Sequence, residues 1–250
     1  MRRLLLLLLV CALAPVSGAL AAVAAREPCG LPLPSAAGTP ALPHVAAALA
    51  GAPASLDVLV VGSATVLGPA GNPTDAFPQA MADALRTRVP GLAVSLVVHG
   101  IRGRTAAEMV PLLRQSLAAK QFQLVLWQTG TVEAVRRLPP DGFAATLAQG
   151  IQAVHAAGAD LVLVDPQYSE MLESKADLPP YRAAILQAVS GPGTALLDRY
   201  DLMRDWARAG LLDLDHTAVG ARAKVSERLH TCLGDMLARR VLAGAAAAGG

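Results

Sequence analysis

Few residues in this 250-residue chain have the type and spacing to do chemistry, and they sit in short polar segments after apolar runs. Gly62-Ser63 offers a hydroxyl after the run Asp57–Val61. Arg102 and Arg104 offer guanidiniums that hold a carboxylate or phosphate, or simply solvate a loop. Gln128 ends a third run and can hydrogen-bond a ligand, while Trp127 beside it reads as packing. Asp165-Pro166-Gln167-Tyr168 forms either a polar, aromatic rim or a turn with proline at its second position. Asp213-Leu214-Asp215-His216 sets an imidazole three residues after a carboxylate, either as a reacting pair or as caps for the helix that follows. His99, His155 and His230 stand alone and read as solvent-facing or structurally satisfied.

Other chemistries are excluded by spacing. The glycines between Gly62 and Gly71 contain neither G-K-[ST] nor G-x-G-x-x-G, so phosphate-loop and dinucleotide sites are absent. There is no C-x-x-C and no H-E-x-x-H, so neither a metal nor any other cofactor is expected. With 54% hydrophobic and 16% charged residues the chain is no disordered protein. Its formal charge is +2, and loss of Arg2 and Arg3 would make it neutral, which removes any global attraction to nucleic acid.

The elements that must position these residues alternate. Apolar runs at Asp57–Val61, Ala93–Val98, Phe122–Trp127, Asp160–Val164 and Thr194–Leu197 read as strands, four of them apolar on both faces. Helical patterns lie at Ala76–Val89, Thr105–Ala119, Asp141–Ala157, Pro180–Ser190, Tyr200–Ala209 and Thr217–Leu242. This rhythm predicts an α/β fold, a five-stranded parallel sheet in a three-layer α/β/α sandwich, with ligands at the carboxyl ends of the strands.

The N-terminus is a separate segment. Arg2-Arg3, the apolar stretch Leu4–Leu13 and the small residues Ala19-Leu20-Ala21 read as a secretory signal peptide over 1–25, too short to span a bilayer. An exported, periplasmic or secreted product is expected. An extended strap with a short helix covers 26–50, the main domain 51–242, and an Ala/Gly tail, expected to fray, 243–250. In an oxidising compartment Cys29 and Cys232 are disulfide candidates, with two buried thiols as the alternative.

Taken in order, the polar segments resemble the blocks of SGNH (GDSL-type) ester hydrolases. Val58-Leu59-Val60-Val61-Gly62-Ser63-Ala64 is similar to the strand ending in Gly-Asp-Ser, and Gly103-Arg104-Thr105 to the second block. Trp127-Gln128-Thr129-Gly130-Thr131-Val132-Glu133 stands for the third, and Asp213-Leu214-Asp215-His216 for the last. The resemblance implies a flavodoxin-like sheet ordered 2-1-3-4-5. It also implies His216 as general base, Asp213 as its orienter, and the Gly103 N–H as an oxyanion donor. It places the nucleophile on Ala64 and the oxyanion asparagine on Val132, neither of which can serve. Gly62, Arg104, Gln128 and Gln167 would line the pocket. The expectation is an ester hydrolase-like protein with impaired catalysis, able to bind a small ester or acylated glycan. Two alternatives stay open: an active esterase or acyltransferase using Ser63 with His216, and a non-catalytic envelope binding or scaffold protein.

Overall fold

The computed structural model describes Cys29, residues 39–189 and residues 191–249. Five strands form one sheet: β1 (Ser55–Gly62), β2 (Ala93–Gly100), β3 (Leu124–Gln128), β4 (Asp160–Val164) and β5 (Thr194–Leu197). Their order is β2-β1-β3-β4-β5 and every pairing is parallel. The expected fold is therefore present. Because side chains alternate along a strand, each strand feeds two cores. Val58, Val60, Leu124, Leu126, Val162 and Val164 face one layer. That layer contains α1 (Pro43–Leu49), α2 (Phe77–Arg88) and α9 (Arg222–Ala248). Leu59, Val61, Val125, Trp127, Leu161 and Leu163 face the other. It contains α3 (Ala106–Ala119), α5 (Pro140–Ala156) and α7 (Pro179–Ala188).

Three short or late elements matter for the site. These are α4 (Thr131–Arg136), α6 (Glu170–Glu173) and α8 (Arg199–Arg208). The first two were not expected from periodicity, being too short to show one. The last helix also corrects the sequence reading twice. It begins at Arg222 rather than Thr217, after a 3₁₀ turn at Val219–Ala221. It then continues to Ala248, so residues 243–248, expected to fray, are helical. Gly244 explains the second correction: a Cβ there would lie 2.6 Å from Leu42 Cγ, so its absence lets the chain before α1 pack on the helix. The Leu42 N–H donates to the Gly244 carbonyl at 2.9 Å.

The expected signal peptide and most of the strap lie outside the described residues. Cys29 forms a disulfide with Cys232 of α9, Cα to Cα 5.4 Å, and Trp206 Nε1 donates to the Cys29 carbonyl at 2.7 Å. No helix among the described residues is long and apolar enough to cross a membrane.

Candidate functional site

The carboxyl ends of β1, β3, β4 and β5 carry one connected polar group. Gly62 ends β1, where a side chain would collide with Gln128: its Cβ would be 3.1 Å from Gln128 Cβ. The chain then turns through a 3₁₀ segment, Ala64–Leu67. Buried Val66 packs over Gly62 and Leu67 over Gly100, which fixes this turn to the ends of β1 and β2. Thr65 is thereby held over β3, and its hydroxyl donates to Gln128 Oε1 at 2.9 Å. Ser63, the residue before the turn, makes no side-chain cap to it. Its neighbour Thr65 carries the turn's polar contact instead.

The loops that carry Gly103 and Val132 are linked by a buried carboxylate. Glu133 of α4 accepts the Ala106 N–H with one oxygen and the Gly130 N–H, at 3.0 Å, with the other. It thus ties the loop after β2 to the loop after β3, and it is 3% exposed. Gly103 has φ +74°, and the Arg136 guanidinium of α4 lies 3.7 Å from where its Cβ would be. Val132, half-buried beside Glu133 in α4, presents an isopropyl group with no donor. Arg104 is exposed and lies 4.0 Å from Glu108, a surface ion pair of little energetic weight.

Arg199, the first residue of α8 after β5, completes the polar group. Its Nη1 donates to Thr65 Oγ1 at 3.4 Å and its Nη2 to Gln167 Oε1 at 3.2 Å. Nε has no partner among the described residues. The residue is 2% exposed, and burial draws its pKa down to about 10, still well above neutrality. The adjacent buried Asp165 is committed elsewhere, accepting from Arg182 Nε at 2.9 Å and from the Tyr200 N–H at 3.0 Å. Burial and the charge of Asp198 push Asp165 up to about 7. The segment Asp165–Tyr168 is thus a site element more than a rim, and its aspartate is structural.

The acid–imidazole pair is formed. His216 Nδ1 and Asp213 Oδ2 are 2.8 Å apart, and Asp213 Oδ1 accepts the His216 N–H at 3.1 Å. The Asp213 hydrogen bond and charge, then Glu170, raise the His216 pKa. The loop docks on α6, where the Glu170 N–H donates to Asp215 Oδ2 at 2.8 Å. His216 Nε2, the nitrogen that would take a proton from a nucleophile, lies 3.7 Å from Glu170 Oε2. The ring is exposed, and its polar contacts are to carboxylates and not to Ser63.

Two site residues escaped the sequence reading: Arg199 and Glu133. Arg199 directly follows β5, so the carboxyl-edge rule applied to that strand would have found it. Glu133 carried no local signal, because its partners are backbone amides 27 and 3 residues away. His99, His155 and His230 all make structural contacts, to Ser116, Thr194 and the Phe77 N–H respectively. No group of three or more His, Cys, Asp or Glu among the described residues is arranged to hold a metal.

Solved structures similar to this chain share its fold at low sequence identity, and two of those described below are esterases. A catalytic mutant of the acetylxylan esterase Axe2 from Geobacillus stearothermophilus is similar over 74% of this chain and 94% of its own. Its TM-score is 0.61 and its identity 16%. The crystal structure of TesA matches with a TM-score of 0.53 and 20% identity, over 72% of this chain and 99% of its own. A mutant of the esterase AlinE4 also has a TM-score of 0.53, at 19% identity, over 68% and 89%. At such identities these likenesses establish the fold. No curated protein matches the sequence. The model of the non-GDSL lipase-like family matches residues 28–247. With that match spanning most of the chain, and the Gly62-Ser63-Ala64 turn in place of Gly-Asp-Ser, the chain belongs to the non-GDSL lipase-like family.

Proposed function

We propose that this chain is an exported binding protein on an ester-hydrolase fold, with the cleft retained and acyl transfer lost. One observation carries the reading: position 64, where the resemblance puts the nucleophile, is a methyl group, and the His216 ring contacts Asp213 and Glu170 with no hydrogen bond to Ser63 or Thr65. Thr65 is engaged by Gln128 and Arg199, and the free nitrogen of His216 faces Glu170. A base without a nucleophile cannot form an acyl-enzyme. Deleting the nucleophile of a serine hydrolase costs on the order of a millionfold in turnover. The likeness to an acetylxylan esterase makes acetylated sugars and small esters the ligand class to examine first. Export is supported by the signal-like N-terminus together with the Cys29–Cys232 pair, which suits an oxidising compartment.

Fluorophosphonate labelling and p-nitrophenyl acetate hydrolysis test the loss of chemistry. The natural chain is expected to remain unlabelled and to match a His216→Ala control. Ala64→Ser is expected to gain labelling that depends on His216. Adding Val132→Asn supplies an oxyanion donor of a kind typically worth about 3–4 kcal/mol of transition-state stabilisation. Labelling of the natural chain that disappears in Ser63→Ala would replace this reading with an active esterase using a shifted nucleophile.

A further inference from the structure

A permanently charged side chain buried without a carboxylate in direct contact has to be explained. Arg199 is 2% exposed and makes no ion pair among the described residues. Of its donors, two are used, both on neutral oxygens and both long, at 3.4 and 3.2 Å, and Nε is used by none. Ordinary N–H···O bonds centre near 2.9–3.0 Å, and charged donors to carboxylates bind shorter still. Burying a guanidinium costs several kcal/mol unless a well-placed anion offsets it. The nearest buried carboxylate, Asp165, is already paired with Arg182. The protein therefore holds, at the carboxyl edge, a positive charge met only through space by Asp165, a carboxylate it shares with Arg182.

The way in is through the two residues that occupy it. Thr65 and Gln167 are half-buried rather than buried, so both reach the surface at the carboxyl edge while Arg199 lies behind them. Displacing the Gln167 oxygen frees Nη2, and the amide's own N–H groups can then donate to the incoming group. The His216 loop carries Asp213 and Asp215 and docks on Glu170 of α6, and these carboxylates disfavour a dianion more than a monoanion. A planar guanidinium fits a carboxylate through two parallel bonds. We propose that the cleft binds a small monoanionic carboxylate, held by Arg199 after displacement of Gln167. This rests on the reading of the cleft as a binding site, and names the chemistry of its occupant.

The test is thermal melting of the full chain titrated with butyrate, butyramide or inorganic phosphate at constant ionic strength. Butyrate is expected to raise the melting temperature saturably, with butyramide giving no shift and phosphate a smaller one. Arg199→Met is expected to weaken butyrate binding about ten- to a hundredfold, as for loss of a charged hydrogen bond. Gln167→Ala, which removes the competing oxygen but leaves the buried charge, is expected to tighten it. The proposal is overturned by no saturable butyrate shift, by an equal response to butyramide or phosphate, or by an unchanged response in Arg199→Met. If Arg199→Met does not fold, a Gln167→Ala chain that binds butyrate no more tightly overturns it instead. Fluorophosphonate labelling of the natural chain would sink the non-catalytic reading while leaving the butyrate result to stand or fall on its own.

Discussion

Opening the Cys29–Cys232 bond should remove a large share of the stability. The bridge joins residues 203 apart. The chain-entropy relation for a loop of that length gives about 5 kcal/mol of destabilisation of the unfolded state at 25 °C. Native proteins carry only about 5–15 kcal/mol in all. For a domain of this size that corresponds to a fall in melting temperature of roughly 10–20 °C. Cys29 and Cys232 should both be replaced by Ala, since both are buried and a serine hydroxyl would add its own penalty. The double variant and the natural chain in reductant should melt at the same lowered temperature. Trp206 reads out where the loss occurs, because its Nε1 donates to the Cys29 carbonyl inside the core. A red shift of Trp206 emission without a fall in melting temperature would mean that the segment around Cys29 detaches alone. The loop-entropy reasoning would then be refuted, as it would by finding both thiols free in the oxidised protein.

Two further perturbations follow from single buried contacts. His230 accepts the Phe77 N–H at 3.1 Å, and burial, then the charge of Arg199, lowers its pKa to about 4. The unfolded chain takes up that proton near pH 6.5 and the folded chain does not. The His230 contribution to stability should therefore be constant above pH 6.5 and fall by about 3 kcal/mol as pH drops to 4, opposed by Asp165, whose raised pKa favours the folded chain over the same range. On going from pH 8 to 4.5 the urea midpoint should fall less, or rise more, in His230→Gln than in the natural chain; an unchanged response would assign the acid sensitivity to other groups. In α5, a Cβ on Gly150 would lie 2.1 Å from the buried ring of Trp127. Gly150→Ala should thus cost about 1–3 kcal/mol by overpacking, against a gain in helix propensity of at most about 1 kcal/mol. A denaturant midpoint equal to or above that of the natural chain would contradict this.

The parts of the structure that were legible are those with local periodicity. All five strands lie where continuous apolar runs place them, because a strand covered on both faces must be apolar at every position. The sheet order came from resemblance, since nothing in a parallel strand's own composition says which neighbour it takes. Helices of four and six residues around Glu170 and Thr131 have no period to detect. The site divides in the same way. Asp213 and His216 are three residues apart and their pairing was readable. Thr65, Gln128, Gln167 and Arg199 meet across four strand ends, up to 134 residues apart, and no spacing announces that.

The residues that hold this edge of the sheet are not the ones that would react. Glu133 fastens the loop after β2 to the loop after β3 through two backbone amides. Val66 and Leu67 pin the turn after β1 by packing, and Gln128 holds Thr65 within it. None of these contacts requires a nucleophile at 64 or a donor at 132. Ala at 64 and Val at 132 leave each fastening intact and bury no new polar group, so the fold would bear the proposed loss of chemistry without a penalty. The reverse does not hold for Arg199, whose buried charge opposes folding unless an anion meets it. A chain that had kept only a scaffold would gain from an apolar residue there. Arg199 bridges Thr65 and Gln167 through neutral oxygens, and the proposed anion would give its buried charge the partner those two contacts do not.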